Sequence, residues 1–419
     1  MQIDTTYSET AITDTPTATT PTIITSPSTP TLNALCAPAP LSLALRYVKP
    51  TVALRTTLPA LKCVVLSTTP LNAQMTNDAA TGQLLVTTSN LNATTSSWLA
   101  AHVTTPGSIA LPYATFSELV NRLPQNATLH LEMDSATQTL RVQCDDIVTN
   151  IKGVPAHEFP QPPAWDTGAQ IELGGKEFKG IVRQVAYAAA SDDSRPVLTG
   201  VLFEIGANGL AFAAADGFRL SLRAQATATG IQETLRVIVP AQVLGDVEKI
   251  IADDMTLTVA INSTKSHIQF TMPNYRLIAS LLDGNFPNVQ SIVPTTHTTR
   301  VVVDAGALGL SVDLAMIFAQ QAKNLVVLEA EPSANESAGT LRLVAASAES
   351  GDTRRALPIS ITGDAQKLAL NGKFIKEFVE SVNAPQIAIQ FNNAASPVVF
   401  SEVGNPNYTH ILMPMHLSK

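Results

Sequence analysis

The chain has 419 residues, of which 45% are hydrophobic and 14% are charged, so about two to four domains with large cores can form. Its formal net charge of -8 is unusual for a protein that grips nucleic acid through phosphates, unless the basic residues are segregated onto one face. Cys36, Cys63 and Cys144 are widely spaced and form no C-x-x-C motif, which argues against a disulfide framework or a zinc site and favours a reducing compartment.

Residues 1–30 are dominated by Thr, Pro, Ser and Ala, a composition that cannot bury enough apolar surface to offset the entropy of ordering. We therefore expect a disordered extension here. No Lys or Arg precedes Arg46 and no apolar signal-peptide core is present, so a secretory signal is not expected. Apolar runs elsewhere are far shorter than a membrane-spanning helix, which predicts a cytoplasmic protein that does not enter a membrane.

Beyond residue 30, one pattern recurs three times: a helical apolar periodicity changes, after a short turn, to strict alternation. In the first unit, Phe116 and Val120 share a helical face before Leu129 and Leu131 alternate. The three segments are Pro112 to Val142, Pro240 to Phe270 and Asn371 to Phe400. A further helix is predicted upstream in each unit, around Leu41 to Lys49, Gly175 to Ala190 and Ala305 to Lys323.

The repeat predicts an α+β fold of three domains, each with two helices packed on antiparallel sheets. We expect these domains at residues 31–165, 166–295 and 296–419. The first two units end on Phe159-Pro160 and Phe286-Pro287, which we interpret as joints between domains, because a residue before proline favours extended backbone.

The third unit has no successor, and its last strand runs into the sequence ILMPMHL at residues 411–417. Proline cannot donate to a sheet ladder, and methionine side chains are flexible and polarizable. The two methionines could fill a core, which is the commoner role of such residues, or they could offer adaptable apolar surface to a partner.

Sequence signals of catalysis are weak. There is no glycine-rich nucleotide cradle, no paired His or Cys spacing for a metal and no nucleophile elbow. Asp192 and Asp193 are adjacent carboxylates, and such pairs more often order a turn than perform acid–base chemistry. We therefore expect neither a metal nor a cofactor.

Basic residues recur on the predicted helices of all three units, although the chain has only 26 Lys and Arg in total. Lys176, Lys179 and Arg183 lie on one side of their helix, away from its apolar stripe. One such stripe is typical of a solvated helix face, but its recurrence predicts a shared positive face that contacts phosphates without reading bases. The residues assigned to this face are Arg46, Lys49, Arg55, Lys176, Lys179, Arg183, Arg195, Lys323, Lys373 and Lys376.

Several short sequences are individually weak but specific in combination. They are RTTLPAL at 55–61, EFP at 158–160, SRPVLTGVLFE at 194–204, ADGFRL at 215–220, LDGNFP at 282–287, SPV at 396–398 and MPMHL at 413–417. In order and spacing they resemble the bacterial DNA polymerase III beta subunit family, the sliding clamps, over residues 31–419. The resemblance implies a non-catalytic, head-to-tail homodimer whose six domains close into a ring around double-stranded DNA.

The resemblance also implies one peptide-binding pocket between the second and third domains. Its partners would be the DNA polymerase III alpha subunit, the clamp loader and other proteins that carry short motifs with Gln, Leu and Phe. Apolar grooves with a few polar anchors suit such peptides. The implied pocket residues are Leu198, Ala215, Gly217, Phe218, Arg219, Leu220, Pro287, Ile292, Pro397, Ile411, Met413, Met415 and His416.

The chain departs from the family at several positions. Ala215 stands where the family often has Thr, and Ser291 and His416 stand where it has Arg or Lys, so the implied pocket is less basic. The passage from Ala322 to Val326 is shorter than the family's and falls at the implied ring interface. Basic residues often present in the first domain are missing at Ala114, Thr115 and Asn121.

Two alternatives to the ring stay open from the sequence. A diverged clamp paralogue could keep the fold and act as a scaffold without closing a ring. A hydrolase using Asp192 or Asp193 is a third hypothesis.

Overall fold

In the computed structural model, residues 32–68, 82–333 and 337–416 are described. The extension predicted to be disordered, residues 1–30, lies outside the described residues, as does Leu417. Cys36, Cys63 and Cys144 are all buried, free thiols, and burial raises the pKa of Cys36 to about 12.

The helices lie where the apolar periodicity predicted them. α2 and α4 begin directly after Pro112 and Pro240, and the side chains of Asp304 and Asn371 cap the N-termini of α5 and α6. Short 3₁₀ turns extend α3 and α5, and Lys323 ends the latter in a left-handed conformation with a φ of 56°. The helices are α1 Pro38–Val48, α2 Tyr113–Arg122, α3 Gly175–Val185, α4 Ala241–Glu248, α5 Ala305–Ala319 and α6 Gly372–Ser381.

The first repeat contains α1, α2 and ten strands arranged in two antiparallel sheets. One sheet has the order β5-β1-β7-β8-β9, and the other contributes β10-β6-β2-β3-β4 to a nine-stranded sheet. These strands are β1 Leu32–Cys36, β2 Cys63–Ser67, β3 Gln83–Ser89, β4 Ala93–Ala100, β5 His102–Thr105, β6 Ser108–Pro112, β7 Leu129–Asp134, β8 Thr139–Cys144, β9 Ile147–Lys152 and β10 Val154–Pro155.

The second repeat contains α3, α4 and eight strands. Its half of the nine-stranded sheet is β18-β17-β16-β11, and β15-β12-β13-β14 begins a twelve-stranded sheet. These strands are β11 Thr167–Gly174, β12 Gly200–Gly206, β13 Gly209–Ala215, β14 Arg219–Ala226, β15 Leu235–Pro240, β16 Thr256–Asn262, β17 His267–Met272 and β18 Tyr275–Ser280.

The third repeat contains α5, α6 and the remaining strands, which complete the twelve-stranded sheet in the order β26-β25-β24-β19-β22-β21-β20-β23. These strands are β19 Thr299–Asp304, β20 Leu325–Pro332, β21 Ala338–Ser347, β22 Gly351–Thr362, β23 Gln366–Asn371, β24 Gln386–Phe391, β25 Val398–Glu402 and β26 Asn405–Leu412.

Each repeat encloses its own core, in which both helices pack against the strands. A phenylalanine from one helix is fully buried at the centre of each: Phe116, Phe178 and Phe378. The α+β fold of three clamp-like repeats predicted from the sequence is therefore confirmed.

The repeats are joined by continuous sheets. At what we call the first junction, β4 pairs with β18 in antiparallel register, for example Thr95 with Leu277. At the second junction, β14 pairs with β26 in the same way, for example Ser221 with His410. The same structural element therefore joins the first repeat to the second and the second repeat to the third.

α5 differs from the expectation that no apolar run approaches the length of a membrane span. Ala305–Ala322 is 18 residues long with a mean hydropathy of 1.2, which meets that length and composition. However, Leu308, Val312 and Ala315 are buried in the third core, so one face of the helix packs within the third repeat. The opposite face exposes Leu310, Leu314 and Ile317, three large apolar residues spaced at i, i+4 and i+7.

Candidate functional site

The turn between β13 and β14 would form one wall of the implied peptide pocket, which we call the groove. The Asp216 carboxylate accepts hydrogen bonds from the backbone N–H groups of Phe218 (2.8 Å) and Arg219 (3.0 Å). Gly217 has a φ of +93°, a conformation that suits glycine. This local geometry presents the Phe218 ring to solvent, where it is 65% exposed.

The end of β26 would form the other wall of this groove. The backbone N–H of Met413 donates to the carbonyl oxygen of Phe218 at 2.9 Å, and the Met413 side chain is 42% exposed. After Pro414 the chain turns onto the third repeat, where Met415 N–H donates to the Ala369 carbonyl at 2.8 Å. An exposed aromatic ring and an exposed thioether therefore stand side by side at the second junction.

The other residues of the implied pocket fall into two groups. Ala215, Leu220 and Ile411 are buried in one small apolar cluster beneath the two walls, and Leu198 is also buried. Ile292 is exposed and lies three residues from Val289, a member of that cluster. Pro287 and His416 are exposed, and Pro397, like Met415, is partly buried.

Arg219 is placed differently from the other residues in the implied pocket set. Its backbone belongs to the groove turn, but its side chain is only 7% exposed and points into the second junction. The guanidinium pairs with Asp216 and with Glu377 of α6, donates to the Tyr187 carbonyl at 2.5 Å and lies 4.3 Å from the Phe374 ring centre. Glu377 and Phe374 were not identified as site residues from the sequence, because they lie more than 150 positions away along the chain.

Arg195 was assigned to the phosphate-contacting face, but the structure places it beside the groove turn. Its Nη2 lies 3.4 Å from the Asp216 carbonyl oxygen and close to Gly217. Arg195 is exposed, so this guanidinium is available to a ligand in the groove. Arg195 is therefore a cation beside the groove. Ser291 and His416 stand where the family often has Arg or Lys, and neither carries a permanent charge.

Behind the groove, a buried polar network crosses the second junction. The Tyr187 hydroxyl lies 2.9 Å from the Tyr408 hydroxyl and 3.0 Å from Nδ1 of His410. The His410 ring stacks on Phe378 with an interplanar angle of 10°. Burial, with a smaller contribution from the nearby Arg219 charge, lowers the pKa of His410 to about 3. His410 is therefore neutral at physiological pH.

Several predicted basic residues of the first repeat come together. Arg46 and Lys49 line a groove of about 1040 Å³ between α1 and α2. Lys62 and Arg122 line the same groove, although sequence reasoning did not single them out. Arg122 is paired with Glu118 at 2.8 Å. Arg55 lies in the loop that follows and borders a separate groove beside the first junction.

In the second and third repeats, carboxylates share the basic helix faces. Lys179 bonds to Asp253 at 2.7 Å, and this hydrogen bond, with the charges of Lys176 and Arg183, lowers the pKa of Asp253. Lys376 bonds to Asp313 at 2.6 Å, which raises the pKa of Lys376. Among the predicted residues, Lys176, Arg183, Lys323 and Lys373 are exposed.

The geometry gives no support to acid–base catalysis at Asp192. Its carboxylate accepts hydrogen bonds from the hydroxyl and backbone N–H of Ser194, and these bonds lower its pKa. This is the arrangement of a turn-ordering carboxylate. Within the described residues, no group of three or more His, Cys, Asp or Glu could hold a metal ion.

Two family models match adjacent parts of the chain. The central domain of the DNA polymerase III beta subunit matches residues 172–288, and its C-terminal domain matches residues 290–416. A beta sliding clamp of Synechococcus elongatus is 29% identical over 348 residues, covering 83% of this chain and 91% of the relative. The beta sliding clamp of Bacillus subtilis is 27% identical over 312 residues, 74% of this chain and 80% of the relative.

Solved structures have the same fold. The DNA polymerase sliding clamp from Bacillus subtilis superposes with a TM-score of 0.84 at 22% identity, covering 92% of this chain and all of that one. The DNA polymerase III subunit beta from Pseudomonas aeruginosa gives 0.83 at 20% identity with the same coverage.

Proposed function

The chain belongs to the DNA polymerase III beta subunit family, and on that basis we propose that it is a sliding clamp, a ring that encircles duplex DNA. In this role it tethers the replicative polymerase, the clamp loader and repair proteins to DNA and has no catalytic activity of its own. The observation that carries the docking part of this proposal is the exposure of Phe218 and Met413 at the second junction, next to a buried apolar cluster that includes Leu220 and Ile411.

The unpaired strand edges support a head-to-tail homodimer. β22 is the counterpart of β4 and β14 in the third repeat, and β9 is the counterpart of β18 and β26 in the first. In the described residues, residues 351–357 of β22 pair only with β21, and β9 pairs only with β8. A second copy would pair β22 with β9 and repeat the junction that the chain already forms twice. We call this the closing contact.

Exposed apolar residues lie beside both free edges. Leu314 and Ile317 of α5 are 39% and 62% exposed, and Ile147 and Val148 of β9 are 39% and 48% exposed. At the position that corresponds to Ile317, the second repeat has Tyr187, which Tyr408 of the next repeat covers. Burial of these apolar side chains against a second copy would stabilise the closing contact.

The exposed cations support a phosphate-contacting inner face. Lys176, Arg183 and Lys373 lie on helices, and the groove with Arg46 and Lys49 lies between α1 and α2. A ring that slides needs loose, sequence-independent contacts, and topological linkage replaces high affinity. We infer that this clamp works in the cytoplasm, where it meets chromosomal DNA and its polymerase.

The test is oligomeric mass combined with retention on circular DNA. Light scattering should give twice the 44.3 kDa of one chain. After treatment with a bacterial clamp loader and ATP, the protein should stay on nicked circular DNA at high salt and leave when the circle is linearised. A monomer that does not stay on circles would support a scaffold paralogue instead. Loss from circles and linear DNA at the same rate would contradict topological linkage.

A further inference from the structure

Arg219 belongs to the groove turn through its backbone and to the bonds across the second junction through its side chain. Its backbone N–H donates to Asp216, the residue that shapes the turn. Its guanidinium bonds to Asp216 on its own repeat and to Glu377 on the third repeat. The same group therefore fixes the groove wall and holds the neighbouring repeat.

Glu377 lies outside the groove and acts on it only through Arg219. It lies on α6, and its Oε2 accepts a hydrogen bond from Arg219 Nη1. Its Oε1 lies 4.0 Å from Lys373 Nζ. The ring of Phe374, one turn earlier on α6, lies beneath the guanidinium, with its centre 4.3 Å from the guanidinium carbon. Because these groups are largely buried, screening by solvent is weak and the geometry of the guanidinium is tightly set.

Within the described residues, the first junction forms without a corresponding ion pair between the two repeats. The residue equivalent to Arg219 is Ala93, which pairs with Ala279 in the strand register. The residue equivalent to Glu377 is Asp246, whose nearest cation is Lys249 of its own repeat, at 3.4 Å. Strand pairing between repeats therefore does not require a buried ion pair. The ion pair is found at the junction that carries the exposed Phe218 and Met413.

We propose that Arg219 and Glu377 are positioning residues for the peptide groove: the ion pair across the second junction holds the Asp216–Arg219 turn so that Phe218 stands opposite Met413. This inference rests on the docking function proposed above. It reassigns Arg219 from a residue that binds peptide with its side chain to one that supports the wall from behind. The shape of the groove then depends on the position of the third repeat, because Glu377, one partner of the ion pair, lies on α6.

The test is a double-mutant cycle on the full chain. Glu377→Gln keeps the shape of the side chain and removes its charge. Arg219→Lys keeps the charge but cannot reach Asp216, Glu377 and the Tyr187 carbonyl together. The affinity of a fluorescein-labelled peptide that carries Gln, Leu and Phe is measured by fluorescence polarisation for wild type, both single variants and the double variant. Glu329→Gln is the control, since it breaks another Lys–Glu pair of the third repeat, with Lys367 at 2.9 Å.

We expect each single variant to weaken peptide binding by about threefold to tenfold, and the double variant to be no weaker than the poorer single variant. Glu329→Gln should bind like wild type. Glu377→Gln should melt at a lower temperature than wild type but stay folded at the assay temperature, and its retention on nicked circular DNA should change little. A general loss of folding would instead abolish peptide binding and DNA retention together.

The outcomes separate this inference from the docking function itself. If wild type binds the peptide and Glu377→Gln binds it equally well, the positioning role is wrong and the groove stands. Additive losses in the double variant would also overturn the role, because they would mean that the two residues act independently. A wild-type protein that does not bind the peptide removes the docking function and this inference with it.

Discussion

The first and second junctions have the same backbone arrangement but different side chains. In both, an antiparallel strand pair crosses the boundary, and a backbone N–H at the end of one strand donates to the turn that precedes its partner strand: Ser280 to the Asn92 carbonyl at 2.8 Å and Met413 to the Phe218 carbonyl at 2.9 Å. The first junction is packed with small hydroxyl residues, among them Thr88, whose hydroxyl donates to the Val48 carbonyl at 2.6 Å. The second junction is packed with tyrosines, a histidine and a buried ion pair.

This difference shows that the junction is a general connecting unit, and that specific function comes from its side chains. At the first junction the chain continues into Leu281 and Leu282 and on to the next repeat. At the second junction the chain passes instead onto the third repeat, where Met415 bonds to Ala369, and Met413 is exposed. The closing contact is a third case of the same strand pairing. There, exposed apolar residues would stabilise the pairing that hydroxyl groups stabilise at the first junction and the ion pair stabilises at the second.

The largest expected effect is at the closing contact. Ile317→Asp places a charge at the C-terminal end of the exposed apolar stripe of α5, where burial against a second copy would leave it unpaired. We expect the protein to be a folded monomer at micromolar concentration and to be lost from circular DNA. Light scattering measures the oligomeric state, and circular dichroism measures whether the variant is folded. Leu43→Asp is the matched control, because Leu43 is an exposed apolar residue of α1 that lies away from both free edges. An Ile317→Asp variant that stays dimeric would show that α5 is not part of the interface.

A smaller effect is expected from pH at the second junction. Below pH 6.5 the unfolded chain protonates His410, whereas the folded chain stays unprotonated until about pH 3. The unfolded state therefore binds more protons, and stability falls as pH decreases from 6.5 towards 3. At pH 5 this single group costs about 2 kcal/mol relative to neutral pH.

His410→Leu copies Leu277, its counterpart at the first junction, and should reduce that loss. Urea unfolding at pH 7 and pH 5 gives the difference for wild type and variant. The exposed His297 supplies the control variant, His297→Gln, which should lose stability with pH as wild type does. An unchanged pH dependence in His410→Leu would mean that His410 is not kept neutral by the fold.

Met413→Ser copies Ser280 of the first junction and removes the apolar wall of the groove. We expect peptide affinity to fall by about tenfold, which corresponds to about 1.4 kcal/mol. The variant should melt close to the wild-type temperature, because the side chain is exposed. Met413→Leu, which keeps the apolar volume, should retain most of the affinity. Equal affinity of wild type and Met413→Ser would remove Met413 from the binding surface.

Much of this architecture follows from the sequence because it depends on local periodicity. The apolar faces around Phe116, Phe178 and Phe378 located one helix in each repeat, and the alternation after them located the strands. The groove floor was implied by the family resemblance, since Leu220 and Ile411 lie in recognisable short motifs.

The sequence could not indicate where long side chains point. The direction of Arg219 depends on Glu377, a residue of another repeat, and the position of Arg195 depends on a turn that begins at Asp216. No periodicity connects such pairs. For the same reason, the helical spacing that grouped Lys176, Lys179 and Arg183 could not reveal that only one of the three is bonded to Asp253.

That contact gives the smallest expected effect. Lys179 is bonded to Asp253 at 2.7 Å and is only 29% exposed, whereas Lys176 and Arg183 are exposed. Lys179→Gln removes a cation but also releases the carboxylate that it neutralises. Exposed pairs of this kind contribute little to stability. We expect Lys179→Gln to retain its fold, and Lys176→Gln and Arg183→Gln to reduce DNA retention at low salt by similar amounts.

The DNA retention of Lys179→Gln depends on the carboxylate of Asp253 that the substitution releases. The double variant Lys179→Gln/Asp253→Asn removes one charge of each sign and should therefore retain DNA like wild type. If the double variant loses as much retention as Arg183→Gln, Lys179 contacts phosphates directly despite its bond to Asp253.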